Sequence, residues 1–319
     1  MVRQTLARTT LLLLFAATAT AQNFPDRPIR IVTAEAGGSQ DVAARILAVG
    51  LTAALGQQVI IDNRASGVIP GEVVMRAKPD GHTLLIYAGT FWLQPFVRKS
   101  VPYDPVRDFS PITLVVTSPT VLVVHPALPV KSVKDLIALV KTRPGELNYA
   151  MGSAGSANHL AAELFKSMTG ADMLGIGYRG NGPAVNALIS GQVQLMFATA
   201  SSVTPLVKSG RLRAIAVASE KPSALVPELP TVAASGLPGY ESISTTGFFA
   251  PAKTPAAVIN RINEALTLTL RKPEVIAQLE KIALPSGLMA SSDEFQKFVS
   301  AEYVRWGAVL KQAKIEMTD

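Results

Sequence analysis

From residue 29 to about residue 220, short β-branched runs alternate with segments of helical periodicity, and this alternation constrains the fold more than any other feature of the chain. Ile29–Thr33, Val59–Ile61 and Thr83–Tyr87 carry the apolar, β-branched composition of buried strands. Between the first two, Asp41–Leu55 places apolar residues at helical spacing and is closed by Gly56. Strand, helix, strand in this order predicts an α/β architecture around a parallel sheet. A second series has a strand at Val121–Val124, a helix over Val133–Lys141, a strand at Leu147–Ala150 and a helix near Leu160–Met168. It ends with strands at Val193–Phe197 and Leu212–Ala218.

The tail differs. A helix enters at Pro255, and Ser291 with Glu294 forms a capping box ahead of Phe295, Phe298, Tyr303 and Trp306, whose spacing makes a packing stripe. Two sheet-forming series followed by helices predict that the tail returns to the first lobe. The expected division is residues 22–121 with 249–319 as domain 1 and 122–248 as domain 2. The chain then crosses near Thr120–Pro126 and near Gly247–Pro255, and two crossings make a hinge.

Composition narrows the chemistry. Among 319 residues, 23 Gly and 22 Pro imply many tight loops, and a charged fraction of 17% lies below the ~25% usual for globular chains. The absence of cysteine excludes disulfides, thiolate metal sites and thiol nucleophiles. His82, His125 and His159 lie too far apart in sequence to suggest a histidine metal site, so neither a metal nor a cofactor is expected. The net charge of +7 is dispersed. Its densest doublets, Arg98-Lys99 and Arg271-Lys272, lack the interleaved aromatics of a nucleic-acid surface. A bias toward small anions competes here with an ordinary solvated basic surface.

Arg3 and Arg8 precede the apolar run Leu11–Ala17, and Ala19-Thr20-Ala21 follows as a small-x-small cleavage signature. Residues 1–21 therefore read as a signal peptide cleaved near Ala21, against the alternative of a buried N-terminal helix. The run is far shorter than the ~20 apolar residues of a membrane span.

Three turns share one design: a strand, a Gly/Ser-rich turn, then a helix start. They are Ala36-Gly37-Gly38-Ser39-Gln40-Asp41, Gly152-Ser153-Ala154-Gly155-Ser156-Ala157-Asn158 and Gly180-Asn181-Gly182-Pro183. Unpaired amides at a helix start make each a possible carboxylate cradle, and loops at the carboxyl ends of parallel strands face the ligand crevice. Ser39, Ser153 and Ser156 can cap helices or bind ligand, while Asp41 suits its own helix dipole. Glu35 would repel an anion unless it faces water or recognises an amine or amide. Thr90, Phe91 and Trp92 follow a strand where they could wall a pocket or fill the core.

Other motifs fail on context. Gly175–Gly180 matches G-x-G-x-x-G but has no acid ~20 residues on. There is no phosphate loop, H-E-x-x-H or G-x-S-x-G elbow. Ser153 and His159 could form a hydrolytic pair, although no acid is placed to orient the imidazole.

A string of short segments, in order, resembles one family over nearly the whole chain beyond the leader. These are Phe24-Pro25-Asp26-Arg27-Pro28-Ile29-Arg30-Ile31-Val32, Gly37–Asp41 with Ala44-Arg45, and Asp62-Asn63-Arg64. Pro79–Leu85 and Pro102-Tyr103-Asp104-Pro105 with Asp108-Phe109 continue it. Gly152-Ser153 through His159-Leu160, Tyr178-Arg179-Gly180, Leu229-Pro230-Thr231 and Gly236–Tyr240 complete it. The chain resembles the Bug-type periplasmic solute-binding proteins of tripartite tricarboxylate transporters.

That resemblance implies a two-lobed periplasmic-binding-protein type II fold closing on a small carboxylate, without catalysis. It implies a periplasmic monomer that meets membrane transporter subunits transiently. It implies that the turn Gly37, Gly38, Ser39, Gln40, Asp41 holds one carboxylate and that Ser153, Ser156, Thr199 and Ala200 contribute from the other lobe. The reading of the residues adds Ala36, Thr90 and Phe91 on the first side and Asn158 and His159 on the second, with Glu35 and Trp92 as candidate specificity positions. Departures from the family pattern at Thr33–Ala36, Ala65–Pro70 and Gln194 bear on ligand choice rather than fold. A secreted serine hydrolase and a ligand sensor without transport are the competing functions.

Overall fold

The strand that organises the molecule is β4 (Phe109–Val124), which belongs to two sheets in succession. In this computed structural model, residues 24–37, 39–65, 67–152, 155–178, 180–282, 284–287, 289 and 291–312 are described. The leader, Gly38 and Ser153 lie outside them. The remaining elements are β1 (Ile29–Thr33), α1 (Ser39–Leu55), β2 (Val59–Asn63), α2 (Ile69–Met75), β3 (Thr83–Ala88), α3 (Thr90–Val97), α4 (Val133–Thr142), β5 (Asn148–Met151) and α5 (Ala157–Thr169). They continue with β6 (Leu174–Gly177), α6 (Asn181–Ile189), β7 (Leu195–Thr199), α7 (Ala200–Lys208), β8 (Arg213–Val217), β9 (Ile243–Pro251), α8 (Ala256–Leu270), α9 (Pro273–Lys281) and α10 (Ser292–Gln312).

The first sheet runs β2-β1-β3-β9-β4. Its first three strands are parallel, with Ile31 beside Ile61 and Leu84, and β9 joins antiparallel through Leu85 and Phe249. The second runs β8-β4-β7-β5-β6, with β7, β5 and β6 parallel. Along β4, Pro119 pairs with Ile243 of the first sheet and Thr120 with Thr199 of the second, so the strand changes sheets between consecutive residues. Pro119 lacks an N–H and sits where that ladder hydrogen bond can be spared.

The forward crossing thus falls at Thr120, at the edge of the expected segment. The return differs from expectation: β9 is paired with the first sheet from Ile243 onward, so the chain passes back at Ser242–Ile243 rather than near Gly247–Pro255. Gly247 is no hinge signal. It makes room for the ring of Phe295, against which a Cβ would collide. At the crossing, Thr120 Oγ1 donates to the Ser242 carbonyl at 2.9 Å, and the Thr120 carbonyl accepts from Ala218 N at 2.8 Å. Ser242 N donates to the Ala218 carbonyl at 2.8 Å, which stitches a third segment into the hinge.

Three apolar clusters hold this frame. One lies under α1, α8 and α9 against the first sheet, with Leu47, Leu51, Ile262 and Leu266 at its centre. Another joins α6 and α7 to the second sheet. The largest passes through both lobes, linking Trp92 and Phe249 to Phe165, Phe197 and Tyr240 through α10 and α5. The aromatic stripe of α10 is packing surface: Phe295 lies 5.3 Å from Phe249, and Tyr303 lies 4.8 Å from Phe96. Ser291 caps the helix by accepting the Glu294 amide at 3.1 Å. No described helix is long and apolar enough to cross a membrane.

Candidate functional site

The registers bring two sets of loops to the hinge. In the first sheet β3 ends with Ala88 beside Thr246, and Gly89 N donates to the Thr245 carbonyl, two residues from the crossing at Ile243. In the second, β7 ends with Thr199 beside Thr120. The carboxyl ends of β1 and β3 therefore point toward the hinge from one side, and those of β5 and β7 from the other. The turns that follow them are 34–41, 89–90, 152–156 and 199–200.

In the first lobe Glu35, Ala36 and Gly37 are exposed, and the helix starts at an exposed Ser39 followed by a half-buried Gln40. Gly37 adopts φ +83°, a left-handed conformation that glycine tolerates best. Its amide is not open to a ligand, because it donates to Asp41 Oδ2 at 2.8 Å. Asp41 is 3% exposed and also accepts from Asn63 Nδ2 at 2.9 Å, while Arg45 Nε lies 3.0 Å from Oδ1. Burial opposes the charge on Asp41, but the bonds from Arg45, Gly37 and Asn63 outweigh it and hold its carboxyl below the ordinary range. Asn63 also donates to the Ala34 carbonyl at 2.8 Å. Asp41 thus braces the turn that leads into α1.

In the second lobe Ser156 stands at the N-cap of α5 with its hydroxyl not capping the helix. Gly155, at φ +74°, donates its amide to Nδ1 of His159 at 2.9 Å. Burial lowers the imidazole pKa against the pull of the Glu163 carboxylate, and Lys166 adds to the lowering. Asn158 donates from Nδ2 to the Phe197 carbonyl at 2.6 Å and to Asn181 Oδ1 at 3.2 Å. This ties the second turn to the third, where Gly180 N donates to the Gly152 carbonyl at 3.2 Å. Thr199 stands at the N-cap position of α7 without a side-chain capping bond and donates from Oγ1 to Ser202 Oγ at 3.1 Å, with Ala200 buried next to it. The lobes touch at this turn: a Cβ on Gly155 would lie 2.8 Å from Val97 Cγ2 of α3.

The described residues among those predicted lie in turns at the carboxyl ends of strands in the two sheets and divide by role. Thr90, Ser39, Gln40, Ser156 and Thr199 stand at helix starts. Asp41, Asn158 and His159 hold loops from beneath. Phe91 and Trp92 do not wall an open pocket; both are 1% exposed. Phe91 lies 5.2 Å from both Tyr103 and Phe249 and meets Phe109 edge-on at 4.7 Å. Trp92 borders a void of about 20 Å³ between α3, α5 and α10, and its indole N–H has no hydrogen-bond partner among the described residues. Sequence reasoning assigned no supporting role to Asn63, Arg45 or Asn181, although the first two lie in segments that carry the family resemblance and Asn181 lies in the third glycine turn.

A larger groove of about 670 Å³ lies elsewhere, at the pole of the first sheet where β4 begins and β9 ends. No predicted residue lines it. Its Asn263 and Thr254 side chains are bonded to the Ile112 and Pro251 carbonyls at 2.8 Å each. We therefore place the candidate site at the strand ends, where helix starts converge from two sheets.

Two α/β lobes that share β4, hinge at paired crossings and present glycine turns at facing strand ends define a periplasmic-binding-protein fold. The profile of the family described as "Tripartite tricarboxylate transporter family receptor" matches residues 43–315, and the chain belongs to this family. Protein BugT of Bordetella pertussis (strain Tohama I) is 36% identical over 303 residues, 93% of this chain and 92% of BugT. Among solved structures, Rpa4515 of R. palustris with adipate is 34% identical, with a TM-score of 0.81, over 92% of this chain and 100% of that one. MatC of Rhodopseudomonas palustris with bound malate is 28% identical, with a TM-score of 0.77, over 90% and 100%.

Proposed function

We propose that this chain is a solute-binding receptor that captures a small carboxylate between residues 24–119 with 243–312 on one side and 120–242 on the other. The reading rests on one observation: helix-start turns from two different sheets converge on the same hinge, each braced by its own buried side chain. Ser39 and Gln40 would bind from the first lobe with Thr90 beside them; Ser156 and the Thr199–Ala200 turn would bind from the second. Hydrogen bonds to a carboxylate are charge-assisted and shorter than neutral ones, so a few aligned amides suffice to orient it. Relatives bound to adipate and malate, both dicarboxylates, support a ligand of that class.

Export after cleavage near Ala21, a monomeric state and transient docking on membrane transporter subunits belong to the same reading, with no cofactor required. The hydrolase alternative is weakened at its base. A backbone N–H can only donate, so Nδ1 of His159 is a lone pair and the neutral ring carries its proton on Nε2. That nitrogen is the one a catalytic histidine would need free of its proton.

A thermal-shift panel of mono-, di- and tricarboxylates, aromatic acids and nicotinic-type amides tests the proposal. A ligand at a hundredfold excess over Kd should stabilise the protein by about 2.7 kcal/mol. Failure of every acid to raise the melting temperature, together with ester turnover abolished by Ser153→Ala, would replace the receptor with an enzyme.

A further inference from the structure

We propose that His159 is a positioning residue whose neutral imidazole holds the interlobe turn in place, so that its protonation frees the turn and weakens ligand capture. The inference rests on the receptor reading above and adds a regulation to it.

The two lobes use one device with different acceptors. In each, a glycine with positive φ donates its amide to the side chain four residues on, in the first turn of the next helix: Gly37 to Asp41 at 2.8 Å and Gly155 to His159 at 2.9 Å. The acceptor in the first lobe is a carboxylate, which keeps its lone pairs down to strongly acidic pH. The acceptor in the second is an imidazole nitrogen. Protonation of Nδ1 would set two N–H groups against each other, and that bond has no protonated form.

The burial of His159, at 5% exposure, leaves little room for the ring to turn away within the folded helix. The turn must therefore move instead. It is the part of the second lobe that meets Val97 of the first, so freeing it disturbs the contact between lobes as well as the helix-start donors beside it.

The charged groups that act on the ring are Glu163 and Lys166 of its own helix; β5 brings Tyr149, α10 brings Tyr303 and the bonded pair Glu302 and Arg305, and Arg98 ends α3. Glu163 is committed elsewhere, accepting from Tyr149 at 2.6 Å and Lys166 at 2.8 Å. A second buried carboxylate at position 159 would crowd this one, a physical reason for an imidazole where the first lobe has an aspartate.

The pH window follows from the lowered pKa. With the ring's pKa below its ordinary 6.5 in the folded protein, the bond is intact at neutral pH and is lost as pH falls through that depressed value. Coupled to one proton, the apparent Kd can rise by at most about tenfold per pH unit below it.

The test compares wild type with His159→Asn, whose Oδ1 can accept the Gly155 amide without titrating, and with His159→Phe, which removes the acceptor. Amide exchange of Gly155 in the ligand-free protein, corrected for the intrinsic pH dependence, should lose protection between pH 7.5 and 5 in wild type. It should stay protected in His159→Asn and be unprotected throughout in His159→Phe. Adipate, used as the probe ligand and with affinity corrected for its own protonation, should weaken over the same range in wild type only. Gly155 protection that does not change with pH in wild type, or adipate affinity equally pH-dependent in His159→Asn, overturns the proposal. Failure of adipate to bind any of the three counts against the carboxylate reading alone, and the exchange measurement still decides the role of His159.

Discussion

Asp41 accepts the Gly37 amide at 2.8 Å while paired with Arg45 at 3.0 Å, so a carboxylate at the start of α1 braces the first cradle. An acid at an anion site would repel its ligand. Here the charge is balanced by Arg45, which together with the Gly37 amide and Asn63 Nδ2 supplies three hydrogen-bond donors to the carboxylate.

Asp41→Asn should destabilise the protein by about 2 kcal/mol at pH 7, since it removes a charge-assisted bond from a buried site. Because its folded pKa is lowered, Asp41 contributes stability above the unfolded value of 3.8 that is lost as pH falls through the folded value. Urea unfolding of both proteins should show the difference shrinking as pH falls below the unfolded value of 3.8 and disappearing in stronger acid.

Gly155→Ala adds a Cβ 2.8 Å from Val97 Cγ2 and imposes a positive φ on alanine. The backbone part should cost about 1–2 kcal/mol. A double-mutant cycle with Val97→Ala should give a coupling of at least ~0.5 kcal/mol, because the second change relieves the collision but not the strain. Additive effects would mean that the turn and α3 do not touch in solution.

Thr120→Val keeps the shape of the hinge strand but leaves the Ser242 carbonyl without its donor. Loss of a buried bond of this kind should cost about 1–3 kcal/mol. Small-angle scattering of the ligand-free variant should also show a broader range of lobe separations than wild type.

Gly307 lets α10 approach α3, and a Cβ there would sit 2.6 Å from Cζ of Phe96. Gly307→Ala should cost about 1–3 kcal/mol as an overpacking change, read by thermal unfolding. Phe96→Leu in the same chain should recover part of the loss.

Much of this architecture is legible locally. β1, α1 and α4 have nearly the predicted bounds, because alternating β-branched runs and helical apolar spacing are properties of neighbouring residues. The three glycine turns lie at helix starts for the same reason. Of β4 only Val121–Val124 is legible, since Pro111 and Pro119 interrupt the pattern of a continuous strand. The strand survives them through a register shift beside Pro111 and a change of sheet at Pro119. The helix Pro273–Lys281 and strand β9 escaped the pattern as well.

By itself the sequence determined the alternation of strands and helices, the placing of glycine where the backbone must turn, and the family of the chain. Tertiary structure decided which lone pairs and amides remain for a ligand. Phe91 fills the core because Phe109 and Phe249 close over it from distant parts of the chain. Gly37 is occupied because the helix start folds Asp41 back onto it within reach of Asn63 and Arg45. Backbone preference acts between neighbours, whereas burial and hydrogen-bond satisfaction depend on whatever the rest of the chain brings alongside.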